Sequence, residues 1–135
     1  MKRSIARFLS IILLLVIGCQ KVETSDVMYT KQNLINMVNE IANNREVSFS
    51  SNAYDYINAK RDIFDLIVNG GENTVTIFVN ILKDSTSFGL DKYIMAAACA
   101  EITGIGIGED KKWATAKDWL VLYLENIDDV SKSNE

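Results

Sequence analysis

The stretch LDKYIMAAACAEIT, residues 90–103, is apolar over most of a helical circumference and holds four alanines and a cysteine. A helix that is apolar all round has to be surrounded by other elements, and its small side chains let those neighbours come close. The remainder of the chain therefore has to supply a shell for it. Gly104 follows at once and supplies a stop.

Amphipathic helices are legible on both sides. Leu34, Val38 and Ile41, with Ile35 and Ala42 beside them, recur at helical spacing, which predicts a helix over residues 30–43. A polar loop over 44–51 leads to Ser51 or Asn52 as N-cap of a second helix. There Tyr56, the stem of Lys60, Ile63, Phe64, Ile67 and Val68 share a stripe that Asn69, Gly70 and Gly71 close.

Residues 73–83 are ambiguous by period. Val75, Ile77, Val79 and Ile81 alternate as in a strand, whereas Val75, Phe78, Val79 and Leu82 fit a helix. β-branched residues favour the strand. A lone strand is not viable and no second strand-like run lies nearby, so a helix is expected. A last helix is expected over 114–127, carrying Trp119, Leu120, Leu122, Tyr123 and Ile127, with a frayed tail over 129–135. The fold class predicted is all-α: an N-terminal signal helix, then about five helices stacked as antiparallel hairpins.

The amino-terminal end reads differently. Lys2, Arg3 and Arg7 precede an apolar run over 8–17 in which only Ser10 is polar, and the run closes on Gly18 and Cys19. This is the charged region, apolar region and small-residue site of a secretory signal. The run is roughly ten residues, short of the ~18 that a membrane-spanning helix needs. Val16-Ile17-Gly18-Cys19 resembles the lipobox of bacterial lipoprotein precursors. That resemblance implies cleavage between Gly18 and Cys19 and a diacylglyceryl group on the Cys19 thiol. Two acyl chains make a stable anchor where one does not. The expected organisation is a signal peptide over 1–18, lipidated Cys19 and a tether over 19–28, a helical domain over 29–128, and the tail.

Removal of the signal would take three of the 14 basic residues, leaving 11 against 18 acids and a net charge of −7. Such a balance argues against nucleic acid, whose phosphates select basic patches, and against lying flat on an anionic leaflet. With Cys19 taken by lipid, Cys99 has no disulfide partner. The chain has no His, which removes the commonest general base and metal ligand together. No GxSxG, HExxH, CxxC or phosphate-loop pattern occurs either. Neither catalytic, cofactor-binding nor metal-ligating residues are therefore expected.

YINA at residues 56–59 recurs as YIMA at 93–96, each in the same place within a hairpin of about forty residues. GLDKYIMAAACAEITGIGIG followed by WATAKDWLVLYLE resembles the closing repeat of small bacterial HEAT-like proteins. The resemblance implies a right-handed stack of helix pairs with a scaffold or binding role. Two hairpins fall short of the three or more repeats usual for such stacks, so the first helix is expected to act as a cap.

Individual residues can be weighed in the same way. Glu101, one turn before the end of the most buried helix, is expected to need partners and to anchor the following loop, through backbone amides or the indole of Trp113. Cys99 lies among alanines with no base in sight, as a small core residue does. GIGIGEDKK does not join a strand to a helix, so it reads as a linker rather than a dinucleotide fingerprint. Trp119 and Tyr123, four apart, fit a core face. Trp113, before the helix, is the expected exposed aromatic, and of Tyr54 and Tyr56 one is expected to face water. The partner-binding candidates are thus Trp113, Tyr54 and Glu101.

The function expected is a non-catalytic, lipid-anchored module on the extracytoplasmic face of the membrane that binds a protein. The runner-up is an inhibitor or immunity lipoprotein that neutralises a basic secreted toxin or hydrolase. An enzyme or small-ligand carrier would require a pocket joining Glu101 to other convergent polar groups.

Overall fold

A computed structural model describes residues 29–108 and 112–133. Gly18, Cys19 and the expected signal and tether lie outside the described residues. All regular structure among the described residues is helical: α1 (Lys31–Ala42), a 3₁₀ turn (Arg45–Val47), α2 (Ala53–Ala59), α3 (Arg61–Asn69), α4 (Gly71–Asp84), α5 (Leu90–Thr103) and α6 (Ala116–Lys132). None of these helices is long and apolar enough to cross a membrane.

α5 is the axis of the fold, packing against α1, α2, α3, α4 and α6. Its buried residues run without a gap from Ile94 through Ala100. This is the surrounded helix that its composition requires, and the alanines are what allow five neighbours to reach one backbone. Around it lie Leu34, Val38, Ile41, Phe64, Ile67, Phe78, Leu82 and Trp119, all buried. Each such side chain contributes roughly 1.5–3 kcal/mol of transfer free energy. Gly104 closes α5 in the left-handed region, φ 75°, with its N–H bonded to the Ala100 carbonyl at 2.9 Å.

The ambiguous segment is helix. Thr74, Val75, Phe78, Val79 and Leu82 are its buried positions, and the strand-fitting Ile77 and Ile81 sit at the edges of that stripe. Thr74 Oγ1 also donates to the Ile67 carbonyl at 3.1 Å, holding the α3–α4 turn from inside.

The second helix is interrupted where periodicity runs on. Lys60, at φ −130° and ψ 43°, separates α2 from α3. Neither Pro nor Gly stands at the break. Packing decides it: α2 lies on the 3₁₀ turn, α1 and α5, whereas α3 lies on α1, α4 and α5. Lys60 reaches Glu40 and Arg61 reaches Glu101, so the two residues at the break hold different neighbours.

α6 also departs from expectation, starting at Ala116 and running on to Lys132. Its start is set by a capping box. Thr115 Oγ1 accepts from the Asp118 N–H at 3.2 Å, and Asp118 Oδ2 accepts from the Thr115 N–H at 2.9 Å. Residues 129–132, expected in the tail, are helical and exposed.

Candidate functional site

A cleft of about 500 Å³ opens where three helices begin. Its lining includes Asn52 and Ala53 at the start of α2, Gly89 and Leu90 at the start of α5, and Thr115 and Ala116 at the start of α6. Tyr56, Phe88 and Tyr93 form its aromatic wall. No lining residue among those described is charged.

Most of the polar lining is committed to local structure. The Ser50 hydroxyl donates to Asp55 and accepts from the Asn52 N–H. The Asn52 side chain accepts from the Tyr54 N–H at 3.1 Å, capping α2. Thr115 is held in the α6 capping box, and hydrogen bonds from Thr115 draw the Asp118 carboxyl below its ordinary range.

Beside the cleft stands a row of aromatic rings. Tyr54 meets Tyr93 edge to face at 6.1 Å, and Tyr93 lies tilted on Trp113 at 5.0 Å. Tyr54 is 41% exposed, while Tyr56, two residues on, is 9% exposed. The expectation that one of the pair faces water is met by Tyr54. Phe49, next to the cleft residue Ser50, is 100% exposed.

Trp113 is not the exposed aromatic that its place before a helix predicts. It is 4% exposed, beneath Tyr93, with Nε1 donating to the Gly106 carbonyl at 2.9 Å. Gly106 permits this: its φ is 77°, and a Cβ there would lie 2.6 Å from that nitrogen. The loop folds back over both indoles, since Trp119 Nε1 donates to the Ile105 carbonyl at 3.1 Å.

Glu101 also departs from expectation. It is exposed, binds the Arg61 guanidinium at 2.7 Å, and neither receives the Trp113 indole nor lines the cleft. In the last turn of α5 Ala100 is buried and Ile102 packs on the core, but Glu101 points to water, which spares it the desolvation that a wholly buried helix would impose. Of the three expected partner-binding residues, the fold brings Tyr54 and Trp113 to one place, through Tyr93, and leaves Glu101 elsewhere.

No family model, curated protein or solved structure matches the chain. The chemistry of the cleft is accordingly that of its own residues. Among the described residues no three His, Cys, Asp or Glu side chains gather as metal ligands. Cys99 is buried and desolvation pushes its thiol up to about 12, so it is no nucleophile near neutral pH. Tyr123, stacked on Trp119 at 5.1 Å, is raised chiefly by desolvation.

The cleft was only partly legible. Thr115-x-x-Asp118 is a capping signal readable from sequence and marks where α6 begins. Nothing local joins residues 50–56, 88–93 and 114–116, because only the packing of three helix starts does so.

Proposed function

We propose that the chain is a non-catalytic interaction module, tethered to the extracytoplasmic face of the membrane through a diacylglyceryl group on Cys19, that binds a protein at the cleft face. The observation that carries the binding part is Phe49. A large apolar side chain that is 100% exposed gains nothing from folding. Its chain neighbour Ser50 lines an aromatic-walled cleft, and Tyr54, half-exposed, packs on the cleft residue Tyr93; aromatic groupings of this kind anchor interfaces. The scaffold reading is supported by the packing of α3 on α4, α5 on α6, α3 on α5 and α4 on α6, as two HEAT-like helix pairs would pack with α1 as cap. The anchor rests on the charge, length and Gly18-Cys19 register of the first nineteen residues.

A second reading has its own observation. Glu125, Asp128 and Asp129 are all exposed on the outer end of α6, where a basic toxin or hydrolase would find acids grouped.

The test uses the full-length chain as bait for envelope and secreted proteins of its own cell, eluted in rising salt. A partner retained in high salt and lost by Phe49→Ser supports the module. A basic protein released at moderate salt and indifferent to Phe49→Ser favours the inhibitor. Metabolic labelling with a palmitate analogue that persists in Cys19→Ala would end the anchor reading.

A further inference from the structure

α6 carries an apolar stripe that runs past the core. Ala116, Leu120, Tyr123, Ile127 and Val130 follow one another at steps of four, three, four and three, the spacing of a coiled-coil seam. Ala116 and Leu120 are buried, and Tyr123 packs on the core. From Glu125 to Lys132 every residue of α6 is exposed, so Ile127 at 44% and Val130 at 61% carry the same stripe into water.

Charge is kept away from it. At about 100° per residue, Glu125, Asp128, Asp129 and Lys132 stand roughly 130–170° round the helix from the midpoint of Ile127 and Val130. The shoulders of the stripe are Leu124 and Ser131 on one side and Asn126 and Ser133 on the other, none of them charged. Their polar side chains are engaged within the helix. The Asn126 amide donates to the Leu122 carbonyl at 2.8 Å, the Ser131 hydroxyl to the Asp128 carbonyl at 2.8 Å, and the Ser133 hydroxyl to the Val130 carbonyl at 2.9 Å. A partner that covers the shoulders therefore strips none of these side chains of its hydrogen bond.

This pattern selects the occupant. A basic partner would go to the acidic side of α6 and leave the stripe open, and an anionic leaflet would be held off by the same acids. A second copy of this chain, at a formal net charge of −4, repels the first except where the contact keeps like charges apart, and this seam does so. The identical helix also presents the identical steps, so its side chains interlock with these position for position. We propose that α6 pairs in parallel with α6 of a second copy, Ile127 on Ile127 and Val130 on Val130 across a two-fold axis. Two turns of helix bury far less than the ~1,200 Å² of a stable complex, so the pair forms at high local concentration, which the proposed anchor would supply.

The test uses the full-length Cys19→Ser chain, purified in detergent micelles at about 0.5 mM, within the range of effective concentration that tethering gives. Cys99 is buried, so the one reactive thiol is the one introduced. Under mild oxidation Ile127→Cys should give disulfide-linked dimer at least about tenfold faster than Glu125→Cys, which lies on the opposite side of α6. Val130→Lys, a good helix former that sets like charges across the seam, should slow the Ile127→Cys reaction at least about fivefold with the helical signal unchanged. Equal rates at the two positions, a faster rate for Glu125→Cys, or indifference to Val130→Lys would each overturn the proposal. An Ile127→Cys thiol shielded from maleimide in a chain that stays monomeric would overturn it too, and would assign the stripe to a segment of the same chain. Absence of dimer from both positions would do the same to the pairing, whereas the anchor and the cleft face would still stand on their own tests.

Discussion

The rings of Trp113 and Tyr93 lie 5.0 Å apart between centroids, tilted by 40°, where the α5–α6 loop crosses the first turn of α5. Tyr54 stands edge-on to the far side of Tyr93. Exposure falls along this row from Tyr54 to Trp113, which holds the loop through the Gly106 carbonyl.

Trp113 is therefore expected to matter for stability. Trp113→Ala should cost about 3–5 kcal/mol in urea denaturation, from lost burial, a cavity and an unpaired Gly106 carbonyl. An unchanged denaturation midpoint would contradict the packing described.

Cys99 should be silent to thiol reagents in the native protein. In a Cys19→Ser chain at pH 8, Ellman's reagent should react only after denaturant is added. The raised thiol also carries a pH dependence. An unfolded thiol ionises near pH 8.5, the native one at about 12. The stabilisation is complete below the unfolded value and is lost as pH rises between the two, at up to about 1.4 kcal/mol per pH unit. Cys99→Ala should remove this contribution to the alkaline slope, and an identical slope in that variant would refute it.

The α6 capping box should be separable into its parts. Thr115→Ala should lower stability by about 0.5–2 kcal/mol. Because Asp118 is held below the ordinary carboxyl range, its contribution is present above the unfolded pKa and lost as pH falls through the folded one. Thr115→Ala should accordingly flatten the acid limb of a stability–pH profile relative to wild type.

The Arg61–Glu101 pair should be weak. Both side chains are about half exposed, so Glu101→Gln should change stability by less than about 1 kcal/mol, and by less still in high salt. A larger loss that salt does not reduce would restore Glu101 to the buried anchoring role that its helix suggests.

Phe49→Ser should leave thermal unfolding within about 0.5 kcal/mol of wild type, since the side chain touches no core. Partner capture should fall with it. Loss of both together would make Phe49 structural and remove the basis for the proposed face.

Much of the helical framework can be read before any contact is known. Leu34, Val38 and Ile41 occupy the buried face that their spacing predicts, and of Ser51 and Asn52, the two expected N-caps, Asn52 caps α2. The apolar girth of residues 94–100 correctly announces a central helix. These features are short-range: a helical period, a cap and a left-handed glycine each act within a few residues.

The departures share the opposite character. Trp113 precedes a helix and looks free, yet a loop folds back and buries it; Glu101 lies on a buried helix, yet rotation carries it to water and Arg61. The break at Lys60 has no local signal, because α2 and α3 are drawn to different neighbours. By itself, the sequence determined an all-helical chain with a surrounded alanine-rich axis, since periodicity and side-chain size act locally. The tertiary structure alone decided where three helix starts meet and which aromatic faces water. Those outcomes depend on contacts between residues as far apart in the chain as Tyr56, Gly89 and Thr115.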